Sequence, residues 1–496
     1  MKLSNPEQSK RDSKNRVSIK VNSILNIIKT CASILFPLIT FPYVSRVLQP
    51  TNVGKVNFAQ SFVGYFALIA ALGLSTYAIR KCAAVKNDRE KLSNLASQFF
   101  SINLIMTVVA YIALAVTLLL FREFDAYRWL IILESSSILF TSLGTDWLNS
   151  AMEDFKFIAI RSVSFQIIAL VSMFLFVRTV DDYYIYAIIC VVSSSGAYLT
   201  NIFYRRKYCS VRFTFKINWK EHISPILFLF VMTLAQVVMS NTDITMLGLM
   251  KGDYEVGLYS TAHKVTRIIG QVVQSLAIVV IPRLSIFFSN GDYEKFNALL
   301  RKVLNFNITL GLPCFVGVEL LANDVVFIAG GEMYLEAIPI IRILMVSFLF
   351  SLVGGSFLGN AVLIPTGKEK YYMIVCLITA ACNIVLNAIL IPHFGGVGAA
   401  ISTAFNGLLI FVLLLFKLDK NIKIPKIFQV FLGPVVGCVA ISLCCCCCYL
   451  IEMFWLRVCC AVLTSVLFYS LILLLFKNEF VVGFLDKIKK KVSRSV

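Results

Sequence analysis

Between Tyr254 and Pro282 the chain places Ser260, Lys264, Arg267, Gln271 and Gln274 at steps of four, three, four and three. That spacing sets five polar groups, two of them cationic, on one face of a helix. The rest of the stretch is apolar and long enough to cross a bilayer. A charge at the centre of a membrane helix costs roughly 2.5–3.5 kcal/mol on insertion scales, so the two cations must meet water or a partner. The simplest inference is a helix lining a wet, positively charged cavity inside a membrane protein.

Other apolar stretches carry comparable faces. Asn22, Asn26, Lys29 and Ser33 step by four, three and four, Asn57, Ser61 and Gly64 by four and three with Gln60 beside them, and Thr233, Gln236, Ser240 and Asp243 by three, four and three. Such stripes either line a path or glue helices together. Further cations are Arg46, beyond Pro42, and Arg342; Lys29 and Arg342 lie near enough to span ends to snorkel toward the interface. Of the acids in or near apolar stretches, Asp243 is a candidate partner for Lys264 or Arg267. Glu134 and Asp146 are candidates for titration during a transport cycle or for ion pairing.

Signs of catalysis are few. His222, His263 and His393 lie far apart with no ligand spacing, and no phosphate-binding glycine loop is present, which argues against ATP hydrolysis. The run Cys444 to Cys448 sits in an apolar stretch without histidine or acidic companions, where thiols act as small hydrophobes. We expect no enzyme activity, no metal and no cofactor.

The elements that must position these residues follow from composition. Of 496 residues, 58% are hydrophobic and only 15% charged, with 40 phenylalanines and many Ile/Leu runs. This is the balance of an integral membrane protein, and all-α, since the alternating ten-residue segments of a β-barrel do not occur. Windows of about 20 residues give fourteen spans: 21–42, 55–78, 96–121, 128–150, 157–178, 183–204, 223–250, 256–282, 303–329, 337–363, 371–391, 396–416, 427–450 and 454–476. An even number places both termini on one side. The net charge of +19 is then a matter of sidedness: thirty-five Lys/Arg fall on the side of the termini, seven on the other and four inside spans. By the positive-inside rule both termini are cytoplasmic. The excess charge is topology signal and contact with anionic lipids, not a nucleic-acid surface.

An internal repeat is visible at an offset of 203 residues, where Val53-Gly54 followed by Asn57 and Ala59 corresponds to Val256-Gly257 followed by Ser260 and Ala262. Six spans separate the two, so the halves share one orientation and are related by a pseudo-twofold axis along the membrane normal. The expected organisation is a basic cytoplasmic tail (1–20), a six-helix lobe (21–206), a cytoplasmic linker (207–222), a second six-helix lobe (223–418), two additional helices (427–476) and a basic cytoplasmic tail (477–496).

The segments FPYVSRVLQPTNVGKVNFAQSF (41–62), ALGLSTYAIRKCA (71–83), NTDITMLGLMKGDYEVGLYSTAHKV (241–265), IPRLS (281–285), LIPTGKEKYY (363–372) and NIVLNAILIPHFGGVGAAISTAF (383–405) resemble bacterial polysaccharide-repeat flippases of the Wzx or RfbX type. These belong to the multidrug/oligosaccharidyl-lipid/polysaccharide exporter superfamily. The resemblance implies a central cationic cavity and alternating access in the bacterial inner membrane. Its implied cargo is an undecaprenyl-pyrophosphate-linked oligosaccharide repeat for O-antigen, capsule or a related polymer, with membrane lipids and the polysaccharide polymerase machinery as partners. A pyrophosphate needs cations and a sugar needs a wet path, which agrees with the helix-face argument for Lys264, Arg267, Lys29, Arg46 and Arg342. The alternatives are an exporter of lipid II or drugs from the same superfamily, and a membrane-embedded polymerase, which would need a large outer loop bearing acid/base residues.

Overall fold

A computed structural model of the chain describes residues 6–418, 422, 427–478 and 480–483, with side chains from residue 31 onward except 276, 278, 279 and 427–429. Among the described residues no strand occurs. The first compact unit, Met1–Leu249, holds α1 (Pro6–Ala71), α2 (Leu74–Ala84), α3 (Arg89–Leu120), α4 (Arg128–Gly144), α5 (Asp146–Ala151), α6 (Phe155–Phe176), α7 (Tyr183–Val191), α8 (Ala197–Tyr204) and nearly all of α9 (Trp219–Lys251). The second, Met250–Val496, holds α10 (Asp253–Ser289), α11 (Tyr293–Leu320), α12 (Ala322–Gly330), α13 (Ile338–Ser351), α14 (Glu369–Leu415), α15 (Ile427–Cys448) and α16 (Phe454–Leu475).

Ten helical stretches are individually long and apolar enough to cross a bilayer. Two of them, Cys31–Ala84 and Glu369–Leu415, have the length of two crossings each. They are broken by non-helical backbone at Gln49 and Gly395. The remaining crossings of the fourteen are the broken pair α4–α5 and the long helix α10, which bends by 44° between Ser275 and Val280.

The repeat read from sequence is also a repeat of backbone geometry. Gln49 (φ 64) and Gly252 (φ 88), both left-handed, lie at the 203-residue offset and turn the chain into the second and eighth spans. The second span breaks at Leu72 and Gly73 (φ 47 and 66), and the corresponding part of α10 carries its bend. The 3₁₀ turns Arg122–Tyr127 and Glu332–Ala337 stand at matching places, before α4 and α13. The left-handed turns at Glu153 and Gly367 match as well, before α6 and α14.

Helix starts between spans are fixed by aspartates. Asp88, Asp154 and Asp292 accept from the backbone amides of Lys91, Phe157 and Lys295 at 3.1, 3.2 and 3.3 Å, satisfying donors that have no partner within the helix.

Inside the first unit, α2, α3, α5 and the start of α9 share a core around Tyr77, Phe99, Trp147 and Ile226. The Tyr77 hydroxyl lies 3.0 Å from His222 Nδ1, and Lys81 pairs with Glu221 at 2.8 Å nearby, joining α2 to α9. α9 also rests on α1, where the bare face of Gly248 makes room for the fully buried Phe58 ring. Close approach over a small residue is how helices gain contact in lipid, which offers no hydrophobic drive between them. By these contacts the seventh span packs with the first unit, while the repeat makes it the counterpart of that unit's own first helix. In the second unit, α10, α11 and the π-helical segment Leu352–Leu363 bury Phe296, Leu300, Phe357 and Leu363. α15 and α16 pack on α11.

Candidate functional site

The polar face of α10 changes character along its length. Ser260 is buried, with no partner for its hydroxyl among the described residues. Lys264 is half-buried, Arg267 and Gln271 are exposed, and Gln274 donates weakly to Ser351 Oγ on α13 at 3.5 Å. Each step moves the polar group one turn along a helix that is otherwise apolar, so the guanidinium of Arg267 reaches the molecular surface from the middle of a membrane-length segment. At an exposed position in such a segment, an accessible anion or water suits its five N–H donors.

The other faces divide. In α1, Asn57 is half-buried with its Nδ2 unpartnered among the described residues. Gln60 Nε2 donates to Glu134 Oε1 at 3.1 Å. Ser61 donates to the Asn241 carbonyl at 2.8 Å and lies 3.0 Å from Thr245 Oγ1, so this member of the stripe joins α1 to α9. On α9, Gln236 and Ser240 are exposed and Asp243 is 4% exposed. Arg46 is exposed and donates to the carbonyl of Pro42 one turn earlier, at 2.9 Å. Arg342, half-exposed, stands 4.0 Å from Glu319. The side chains of Asn22, Asn26 and Lys29 lie outside the described residues.

Glu134 and Asp146 sit on successive pieces of one broken span, yet they have different company. Glu134 is buried and takes its hydrogen bond from a neutral amide. Asp146 is engaged by the guanidinium of Arg161, whose side chain is only 5% exposed. The guanidinium carbon of Arg161 also lies 5.3 Å from the Phe157 ring centre and 5.5 Å from that of Tyr198. The acid at Nη2 and the aromatic faces nearby offset the buried charge in part, while Nε and Nη1 have no hydrogen-bond partner among the described residues. Sequence reasoning counts Arg161 among the cytoplasmic-side charges. Its position inside the window of the fifth span, with an acid fifteen residues earlier, is the one signal that pointed inward.

Beside this pair the first unit contains a cavity of about 280 Å³ where the breaks after α1 and α4 come to the same place. Asp146, Ser137, Thr141, Ser150 and Trp147 line it together with Ser75 of α2.

Over residues 19–288, more than half of its length, the chain matches the model of a family described as polysaccharide biosynthesis protein. The chain belongs to the polysaccharide biosynthesis protein family. This family member also matches the MatE family model over residues 229–389. It is 22% identical over 413 residues to the "Putative O-antigen transporter" of Escherichia coli (strain K12), covering 82% of this chain and 98% of that one. It is 23% identical to the "Capsular polysaccharide biosynthesis protein CapF" of Staphylococcus aureus over 77% of this chain and 94% of the relative. In fold it is similar to the solved structure "Lipid II flippase MurJ, inward closed conformation", with a TM-score of 0.69 at 15% identity over 91% of this chain and 98% of the other. It also resembles an inward-facing multidrug resistance MATE family transporter of the MOP superfamily, with a TM-score of 0.62 at 19% identity, covering 82% and 94%. The family member is therefore a multi-pass membrane protein of polysaccharide biosynthesis with the exporter-superfamily fold.

Proposed function

We propose that this protein moves a lipid-linked oligosaccharide repeat unit, carried on undecaprenyl pyrophosphate, from the inner to the outer leaflet of the bacterial inner membrane for O-antigen, capsule or a related polymer. The observation that carries the reading is the cationic face of α10, with Arg267 exposed and Lys264 beside it in a membrane-length helix of a polysaccharide biosynthesis protein. A pyrophosphate is the anion that such a pair suits: guanidinium and ammonium groups form charge-assisted hydrogen bonds to phosphate oxygens. Arg46, Arg342 and Lys29 supply further positive charge toward the helix ends. Asn26, Asn57, Gln236, Ser240, Gln271 and Gln274 offer amides and hydroxyls to the sugar. The site alternates in exposure to the two sides of the membrane, both termini stay in the cytoplasm, and the repeat passes to the polymerase machinery outside.

Coupling to an ion gradient falls to the carboxyls. Glu134 is the best placed, because its neighbour is a neutral amide. Asp146 has a guanidinium beside it, and Asp243 is buried at the seventh span. The test is deletion of the protein followed by assay of lipid-linked repeats, which should accumulate on the cytoplasmic face. Lys264→Ala and Arg267→Ala should fail to restore export; full export with both would sink the site assignment.

A further inference from the structure

We propose that the cavity of the first unit, at the α4–α5 break, is a saccharide pocket that holds one neutral sugar ring of the cargo. This deepens the flippase reading and rests on it for the identity of the cargo. Its volume, about 280 Å³, lies just under the roughly 300–1,000 Å³ of pockets that take drug-sized ligands, which is room for a single ring and not for a chain.

The lining has the chemistry of a hydroxylated ligand. Ser75, Ser137, Thr141 and Ser150 present hydroxyls; those of Ser137, Thr141 and Ser150 donate to the carbonyls of Glu134, Ser137 and Asp146 and keep lone pairs to accept from a ligand. Ser75 and Thr141 are exposed to this space or its mouth, and the polar face of α4 runs from Glu134 through Ser137 to Thr141 at steps of three and four. Asp146 is the one charged side chain in the lining. Arg161 engages its Oδ1 alone, so the carboxylate keeps acceptor capacity for vicinal hydroxyls. Trp147 also lines the cavity, is 6% exposed, and has an indole N–H without a partner among the described residues. An indole donates and never accepts, so this orphan asks for a ligand oxygen or a water.

The same inventory decides which sugar is refused. No cation lines the cavity, and Arg161, beside it, already has its acid. A carboxylated sugar or a phosphate would meet the free oxygen of Asp146 and no cation in the lining to hold it, which is selection by a built-in penalty. The anionic end of the cargo therefore belongs with the α10 cations, and this cavity reads a neutral ring.

Trp147 supplies the reporter. The full-length protein carrying Trp129→Phe, Trp219→Phe and Trp455→Phe, all at exposed positions, leaves Trp147 as its only tryptophan. In detergent this protein is titrated with the oligosaccharide released by mild acid from the cells' own lipid-linked pool, with its neutral constituent monosaccharides, with glucuronate, and with sodium chloride against potassium chloride. The expected result is a saturable change in Trp147 emission with the oligosaccharide and at least one neutral sugar, and none with glucuronate. Thr141→Leu, which fills the cavity from an exposed position, should raise the half-saturation concentration at least tenfold while leaving the thermal unfolding midpoint in place; Ser75→Val is the second variant should that protein be poorly recovered. No saturable response to any saccharide overturns the proposal. So does a response to sodium alone, which would make the cavity a cation site, or equal responses with and without the filling substitutions. Lack of saccharide binding in a protein whose deletion still causes repeats to accumulate overturns the pocket and leaves the flippase reading intact. Saccharide binding without such accumulation supports the pocket and overturns the flippase reading.

Discussion

Replacing Arg161 by methionine tests how the first unit is held together around its cavity. The guanidinium is almost fully enclosed, its carboxylate partner Asp146 has a side chain 24% exposed, and aromatic rings lie at 5.3 and 5.5 Å. Removing one partner of a buried pair typically costs about 3–5 kcal/mol, because the other charge stays behind uncompensated. The remaining exposure of Asp146, which lets water reach it, places the expected loss at the lower end, about 3 kcal/mol, with about 1 kcal/mol more from the aromatic contacts. Asp146→Asn alone should cost about as much, since it strands the guanidinium. The double variant should lose much less than the sum, because no stranded charge remains. Chemical unfolding of the four proteins in detergent, followed by circular dichroism, gives the coupling energy directly, expected at about 2–3 kcal/mol. Losses that add to within about 0.5 kcal/mol would refute the pair as an energetic unit.

Gly395→Ala should lower the yield of folded protein and destabilise it by about 1–3 kcal/mol, because the residue sits at φ 54 and ψ −132 and an added Cβ would meet the carboxylate of Glu255; melting in detergent measures it. Asn52→Leu removes the 2.7 Å bond from Nδ2 to the Val180 carbonyl and should cost about 1–2 kcal/mol in the same assay. Asp154 is buried enough to be pushed up, but hydrogen bonds from Tyr208, Tyr204 and the Phe157 amide, with Lys207 nearby, hold it below the usual aspartate range. A carboxyl whose folded value is depressed stabilises above its unfolded value, about 3.9, and loses that contribution as pH falls through the lower folded value. Asp154→Asn should therefore destabilise at pH 7 by about 1–2 kcal/mol, and the gap to the parent protein should close below about pH 4. A gap that persists in acid would show that packing, not charge, is responsible.

Local periodicity carried much of this architecture. The α10 face is a run of steps of three and four, and a helix can realise such a run in only one way. The turn into the eighth span was marked by a shared Val-Gly pair 203 residues after the first, and the backbone reverses at Gln49 and Gly252 with the same spacing. What pattern could not decide is which polar residue faces a partner helix and which faces space. Ser61 and Gln60 are adjacent uncharged polar residues, yet one binds the backbone of α9 and the other a buried acid of α4. Both outcomes use uncharged polar side chains, so only the placement of the second helix separates them. Arg161 escaped for the same reason: its meaning depends on α5 turning Asp146 toward α6 at a break centred on Thr145, where the left-handed residue is neither glycine nor proline.

The matching of the two units has a practical consequence for every experiment above. A substitution in one half has a counterpart in the other that lives in the same polypeptide, the same bilayer and the same preparation. Gln49 can be exchanged for the glycine found at the corresponding Gly252, and Asn52 compared with Glu255, which secures its own turn through the Gly396 amide at 2.8 Å. A change that harms transport when made in one copy and not in the other separates the work of that unit from the demands of the shared scaffold. The duplicated chain thus contains its own reference protein.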